Sequence, residues 1–559
     1  MKLRKYQKNA LKLALQNKKT ILVLPTGTGK TIIGAEYVKH FLSMKKRCIV
    51  LEPTRILVEQ VYNTYRALDI PCTKIYGIIQ KNKRKTLWKK SKVVITTPET
   101  AYNDLEFSSD FDVVVIDECH HAIGDDAYAK FLRESKAEYR LGLSAYVSKK
   151  IEKELESYIG SIYRWSLSDE DIRKYIPQWI SDVYETPFNE SEIRAYNKIE
   201  QLQRKSKNKM IFTLALKYFA CDGAIALKDT LSRENRISEV LSTLKLELIQ
   251  LRDLHKIEKL NKVLEIYDFE KSIIFVDRVI TAKYLYNILK KHFCCSLLIG
   301  KKYSSQNIGE LKNSKIIIST SAGEEGVDLP EIDLLVVWSN TSSPLRFIQR
   351  QGRVMRIPKI KDKVKFVIYL ITPNTIDTDM FLQSALEVRK YIDVGIDETV
   401  IKKLWKKSGY SKILSLLSYP MYLEWIVKMC RKPKRFVYKA ISYGIRIGEI
   451  IYIHTPMGKL YVRKSNKNIL FSKRFRRFLN PIYQGKIKLH INGRTRTFEG
   501  DFKVLINKLE KYLPLDSLTV IVKKKLKDIV EYIPVTYRYL IDDRSTLEIV
   551  LRNSLSKLK

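Results

Sequence analysis

Residues 25–31, ProThrGlyThrGlyLysThr, bring together a glycine-containing turn, a lysine and a hydroxyl, the residue types that hold phosphate. Backbone N–H groups of such a turn surround phosphate oxygens at a helix N-terminus, Lys30 reaches the β- and γ-phosphates of a nucleoside triphosphate, and the Thr31 hydroxyl ligates Mg²⁺. Leu24 stands where the general pattern has its first glycine, so taken alone the segment can also be an ordinary strand-to-helix turn. A second group narrows that choice. Residues 112–120, AspValValValIleAspGluCysHis, end a β-branched run in two adjacent carboxylates. Asp117 is suited to hold Mg²⁺ through water and Glu118 to orient and deprotonate an attacking water, because phosphoryl transfer is catalysed mainly by positioning and charge neutralisation.

These groups need strands to aim them. Apolar runs at 20–24, 47–52, 92–96, 112–117 and 140–144 alternate with amphipathic segments, the signature of a parallel α/β sheet. The rhythm returns over 271–372 with SerIleIlePheVal, LysIleIleIleSer, LeuLeuValValTrp and PheValIleTyrLeu, which predicts a second α/β lobe. Residues 189–263 between them carry no convincing strand. Leu241, Leu244, Leu248 and Leu251, continuing to Leu254, Ile257 and Leu260, fall at spacings of three and four and predict core-facing helices. In ArgPheIleGlnArgGlnGlyArgValMetArg, residues 346–356, Gln349, Arg353 and Arg356 are spaced by four and three, so one helix would present them together. Two guanidiniums offered by one lobe to a triphosphate on the other would stabilise charge on the γ-phosphate; a solvated basic helix is the alternative. The domain plan is a first lobe over 1–168, a helical insertion over 189–263, a second lobe over 264–395, and a C-terminal domain over 400–559 with strand-like runs at 449–453, 459–462, 486–491 and 518–522.

Length alone, 559 residues, predicts several domains. A formal charge of +41 makes a polyanion the natural partner, nucleic acid first, since counterion release drives such binding. The imbalance is concentrated: residues 401–559 hold 36 Lys/Arg against 11 Asp/Glu. A lysine-rich thermophile surface explains many charges but not that asymmetry. Cations interleave with aromatics in LysArgPheArgArgPhe at 473–478, and LysLysLysLeuLys follows at 523–527, each a nucleic-acid surface or a solvated basic helix. Seven cysteines form no CxxC pair and no zinc spacing; Cys294 and Cys295 read as buried thiols. A reducing, cytoplasmic setting is expected, with no signal-peptide pattern at residue 1 and no apolar run long enough to span a bilayer.

The motifs, in order, resemble superfamily 2 helicases. The series is LeuArgLysTyrGln (3–7), LeuProThrGlyThrGlyLysThr (24–31), ProThrArgIleLeuValGluGln (53–60), ThrThrProGluThr (96–100), AspGluCysHis (117–120), SerAlaTyr (144–146), IleIlePheVal (273–276), SerThrSerAlaGlyGluGluGlyValAsp (319–328) and GlnArgGlnGlyArgValMetArg (349–356). The phosphate loop, HisHisAlaIleGlyAspAspAlaTyr and AlaGlyGluGluGlyValAspLeuProGluIleAspLeu are most similar to the archaeal Hef and Fanconi-anaemia-M group, related to Dicer and the RIG-I-like receptors. The resemblance covers roughly residues 1–390 and implies two RecA-like lobes, an insertion that grips duplex or branched nucleic acid, and ATP with Mg²⁺. It implies that Arg4 and Gln7 read adenine; that Thr26, Gly27, Thr28, Gly29, Lys30 and Thr31 hold phosphate, Thr31 and Asp117 serving the metal; and that Glu118 is the catalytic base, with Gln349, Arg353 and Arg356 facing the phosphates. Ser144 and Ala145 would couple the ATP site to the nucleic-acid track, Gly326 and Asp328 would sense nucleotide from the second lobe, and Arg55, Thr97 and Thr320 would touch phosphates of one strand.

This chain departs from the pattern in places. Tyr146 replaces a small Thr or Ser, residues 300–315 lack a GlnArgGluGln-like pattern, and no GluArgLys nuclease motif is present, so no cleavage is expected. His121 reads as a structural or surface residue. DNA is favoured over RNA as partner. A double-stranded-RNA-stimulated sensor or RNA helicase and a motor subunit of a larger DNA-processing complex remain alternatives.

Overall fold

The computed structural model describes residues 3–166, 169–175, 177–233, 235–300, 305–324, 329–354, 364–389, 394–430, 432–455, 458–471, 485–491, 494–500, 502–515, 518–526, 529–537 and 541–556. The chain forms two compact units, residues 1–404 and 405–559.

The first unit contains two parallel sheets. One joins β1 (Lys19–Val23), β2 (Cys48–Leu51), β3 (Thr73–Ile75), β4 (Val93–Thr96), β5 (Val113–Ile116), β6 (Tyr139–Ser144) and β7 (Ser161–Arg164) in the order β3-β4-β2-β5-β6-β1-β7. Central strands such as β5, ValValValIle, are buried at every residue, as a sheet covered by helices on both faces requires. The second sheet runs β10-β11-β9-β12-β13-β8, from β8 (Trp179–Glu185), β9 (Ser272–Phe275), β10 (Cys295–Leu298), β11 (Ile316–Ser319), β12 (Leu334–Val337) and β13 (Lys365–Ile371). β3, β7, β8 and β10, which the apolar runs did not announce, are the four edge strands.

The insertion belongs to the second sheet at both ends. β8 enters it after pairing with β13 from Trp179↔Lys365 to Glu185↔Ile371. At its exit Leu254, Leu260, Val263 and Leu264 pack into the core under β9, β11, β12 and β13. Between these ends the helices Glu190–Lys205, Lys209–Lys217 and Ala224–Leu231 close a separate core around Phe188, Ile199, Phe219 and Leu227. The leucine stripe is buried at Leu241, Leu248, Leu251, Leu254 and Leu260. It is not one helix: the pieces Arg236–Val240, Ser242–Leu244, Lys245–Ile249 and Ile257–Ile266 carry it. Lys256 leaves the insertion fully buried, its Nζ donating to Trp338 O (2.7 Å) and Leu370 O (3.0 Å) and pairing with Asp377 Oδ2 at 2.7 Å. Cys294 is exposed and Cys295 half-buried, against the expectation of two buried thiols.

The second unit is antiparallel. β15 (Ile450–Thr455) and β16 (Gly458–Arg463) form a hairpin extended by β14 (Met421–Tyr422). A second sheet has the order β18-β17-β19-β20, from β17 (Gly485–Ile491), β18 (Arg494–Gly500), β19 (Leu518–Leu526) and β20 (Ile529–Tyr537). The helices Phe502–Glu510 and Arg544–Ser556 share an apolar core that includes Leu505, Leu509, Leu547 and Leu551. The basic cluster 473–478 lies outside the described residues. Among the described residues no helix is long and apolar enough to cross a membrane.

Candidate active site

β6 lies between β1 and β5, so the segments leaving the three C-terminal ends are neighbours. That edge is where open parallel sheets receive ligands. Leu24 N–H donates to Ser144 O at 3.0 Å, tying the start of the phosphate loop to the end of β6. Gly27 (φ +81°) and Gly29 (φ +78°) adopt the left-handed conformation that turns the loop into the helix Lys30–Ser43. A side chain at Gly29 would also meet Gln7, whose Nε2 lies 2.7 Å from where a Cβ would stand. Thr28 is buried, its hydroxyl donating to Pro25 O at 2.6 Å, and its carbonyl accepts from Tyr6 OH (2.8 Å) and Gln7 Nε2 (2.9 Å). Gln7 Oε1 in turn accepts from Arg4 N at 2.9 Å. The Gln7 amide thus clamps the loop, with the Arg4 guanidinium 4.5 Å above the Tyr175 ring beside it. Lys30 Nζ donates to Leu24 O at 3.3 Å, inside the loop's curve, and Thr31 follows it in the first turn of the helix. The open backbone of the glycines, the ammonium and the helix N-terminus fit a polyphosphate, and Thr31 with Asp117 supplies the oxygen donors that suit Mg²⁺.

Asp117 and Glu118 leave β5 at the same edge. Glu118 holds φ +47°, an unusual backbone state for a residue with a side chain, of the kind concentrated at functional sites. His120 Nδ1 lies 3.3 Å from Glu118 Oε2 and 3.0 Å from Ser144 Oγ, so one buried imidazole touches both the acid and the end of β6. Burial would raise the Glu118 pKa; the close contact with His120, helped by Lys30 and His121, outweighs it and holds the carboxyl at about 2. Ser144 Oγ also donates to Tyr146 O at 2.9 Å, and Ala145 is buried. His121 stands next to His120, with ring centroids 4.3 Å apart, and stacks on Tyr128.

The second lobe reaches this edge through the helix Pro344–Gly352. At its end Gly352 packs on the phosphate loop so closely that a Cβ would fall 2.5 Å from Thr26 Cβ and 2.7 Å from its Oγ1. Gln349 and Arg353 are both buried. The expected single helix through 349, 353 and 356 is shorter: it stops at Gly352, and Arg353 caps it, donating to Glu324 O at 2.8 Å. Arg356, Gly326 and Asp328 lie outside the described residues. Of the three residues expected along a nucleic-acid strand, Arg55 is exposed at the start of the helix Arg55–Ala67. Thr97 and Thr320 are buried and begin short helical segments, Thr97 Oγ1 accepting from Thr100 N at 3.4 Å.

Sequence reasoning missed His120, although it stands in AspGluCysHis, because spacing cannot show that its ring bridges two strands. It also missed Arg346 and Arg350. They precede Arg353 on the same basic segment, yet their guanidiniums turn inward onto Asp277 and Glu324.

Two family models match the chain in succession, "Type III restriction enzyme, res subunit" over residues 1–149 and "Helicase conserved C-terminal domain" over residues 255–358. The chain is 27% identical to "Putative ATP-dependent RNA helicase MJ1505" of Methanocaldococcus jannaschii over 68% of its own length and 58% of that protein's. It is 29% identical to "DNA 3'-5' translocase XPB2" of Sulfurisphaera tokodaii, over 67% of this chain and 83% of the relative. "ATP-dependent DNA helicase MPH1" of Pyricularia oryzae is 25% identical over 63% of this chain and 42% of its own. Among solved structures, the Pyrococcus furiosus Hef helicase domain aligns with a TM-score of 0.47 and 22% identity, over 68% of this chain and 98% of that one. The two matched segments fall in order on the two parallel α/β lobes, and in sequence and motif order the chain is similar to the superfamily 2 helicases of the Hef and Fanconi-anaemia-M group.

Proposed function

We propose that the chain is an ATP-driven nucleic-acid motor that acts on duplex or branched DNA in preference to RNA, in replication or repair. The observation that carries this reading is the seat of Gly352 against Thr26, because a phosphate loop met by the other lobe is a site whose completeness depends on lobe closure. In the closed arrangement Lys30 and the loop N–H groups neutralise phosphate charge, Glu118 aligns and deprotonates the attacking water, and Gln349, Arg353 and Arg356 attend the γ-phosphate from the second lobe. Arg4 and Gln7 attend the adenine. Mg²⁺, when held by Thr31 and Asp117, supplies further charge neutralisation. His120 lies between Glu118 and Ser144, so the coupling segment Ser144–Ala145 meets the hydrolytic carboxylate through one imidazole. Gly326 and Asp328 sense nucleotide from the second lobe, and Arg55, Thr97 and Thr320, with the backbones around them, track one strand. The basic C-terminal domain, residues 400–559, adds grip, and the seven unpaired cysteines suit a cytoplasmic setting.

RNA is the second reading, favoured by the name of the Methanocaldococcus relative. Steady-state ATP hydrolysis at matched salt, with no nucleic acid, single-stranded DNA, duplex DNA, forked DNA and double-stranded RNA, separates the two. Strongest stimulation by forked or duplex DNA is expected. Stimulation by double-stranded RNA alone would replace the DNA motor with an RNA-stimulated ATPase, and stimulation by none would assign the chain to a larger complex.

A further inference from the structure

The helix that ends at Gly352 and Arg353 is wired through buried charge to the helical insertion. Lys217, the last residue of Lys209–Lys217, places Nζ 2.8 Å from Asp277 Oδ2 just beyond β9. Asp277 Oδ1 meets Arg346 at 3.0 Å and Arg350 at 2.9 Å. The same two guanidiniums hold Glu324, Arg346 Nε at 2.6 Å and Arg350 Nε at 2.7 Å, and the Glu324 carbonyl accepts from Arg353. Asp222, at the end of the insertion's Tyr218–Asp222 turn, accepts through one oxygen from Asp277 N (3.2 Å), Arg278 N (3.1 Å) and Ser339 Oγ (2.9 Å). Its Oδ2 is buried without a hydrogen-bond partner. Arg278 adds a third link, its guanidinium 4.4 Å over the Tyr218 ring. Arg350, Asp277 and Glu324 are almost wholly buried, whereas Lys217 and Arg346 stay partly exposed, so a displacement of Lys217 or Asp222 is passed inward chiefly through Asp277 to Arg350.

We infer that Lys217 and Asp222 are positioning residues through which the insertion, on engaging nucleic acid, sets the placement of Arg353 at the ATP site. The inference rests on the motor reading and names its regulator: the insertion is the element by which nucleic acid changes turnover. A network that served stability alone would affect turnover with and without nucleic acid alike. One that relays engagement affects only the difference.

The test measures ATP hydrolysis with and without forked DNA, and with double-stranded RNA in parallel, in the full chain and three variants. Lys217→Met keeps the side chain's bulk and removes its charge. It is expected to match the wild type without nucleic acid and to bind the stimulating nucleic acid as tightly, yet to lose about fivefold or more of the stimulation in kcat at unchanged KM for ATP. Lys217→Arg is expected to restore it. Asp222→Asn, which preserves shape, is expected to reproduce the loss and serves if Lys217→Met does not fold. Stimulation equal to the wild type in both folded variants overturns the relay, as does an equal fall of basal and stimulated turnover. A wild type that hydrolyses no ATP overturns the motor reading and the relay with it, and one whose turnover no nucleic acid changes overturns a motor acting by itself and likewise the relay.

Discussion

At the scale of single residues the site turns on Glu118, whose carboxylate is kept ionised by His120 and Lys30 against the cost of burial. Glu118→Gln keeps the size of the side chain and leaves the phosphate loop untouched. We expect ATP affinity within a few-fold of wild type and turnover lower by about 10²-fold or more, read by equilibrium binding and steady-state hydrolysis. Normal turnover in that variant would remove Glu118 from the chemistry. Away from the site, Asp104 is a buried carboxylate held by Arg84 at 2.6 and 2.8 Å and by Trp88 Nε1 at 2.9 Å. Burial pushes its pKa up, but these donors more than reverse that, leaving it below the ordinary 3.8. A depressed carboxyl contributes stability above its unfolded pKa and loses it as the pH falls through the folded value. Asp104→Asn should therefore cost about 2 kcal/mol near neutral pH, and the gap between the denaturation curves should shrink below pH 3.8. A gap constant with pH would mean the loss is one of shape.

At the scale of elements, legibility followed burial. Central strands such as β5 and β11 are unbroken β-branched runs because both faces are covered, and they were readable in the chain. The four edge strands were not, since one side meets less protein: β7 has only exposed and half-buried residues, and β3 has three residues. The loop over residues 25–31 and the Asp117–Glu118 pair could be picked out because their residue types stand together in sequence, and the structure sets both at one sheet edge. The Lys217–Asp277–Arg350 network was not, because its members come from three segments that nothing in their spacing relates. The helix Pro344–Gly352 shows the same limit, with a basic pattern that promised one more turn than it forms. Its last residue carries a sharp expectation. Gly352→Ala introduces a methyl 2.5 Å from Thr26 Cβ and forces the two lobes apart. A shift of about 1 Å in catalytic placement costs on the order of 10²-fold, so turnover should collapse by a comparable factor while the variant melts as the wild type does. Retention of turnover would show that the contact is not needed in the working state.

At the scale of the whole molecule, the second lobe and its insertion are joined by buried contacts. Lys256 is the deepest fastening between them, with no exposed side-chain surface and with Asp377, Trp338 and Leu370 satisfying its ammonium. Lys256→Met would leave Asp377 buried without its ammonium partner, although Asn340 Nδ2 and Thr372 N still donate to it. A loss of about 3–5 kcal/mol in unfolding free energy is expected from denaturant titration. An unchanged midpoint would mean that the Lys256–Asp377 pair adds nothing net to stability. The insertion's two ends have a further consequence. Phe188 at its entry and His255 at its exit touch, their rings 4.6 Å apart, and Thr186 and His255 both reach Thr372. The chain also crosses between the lobes once before that entry, passing from Tyr175, against Tyr6 and Arg4, to Trp179 in the second sheet. The insertion is therefore a cassette with adjoining sockets. Under the motor reading, exchanging it for another helical module of matching ends is expected to change which nucleic acid stimulates turnover while leaving the joint between the lobes undisturbed.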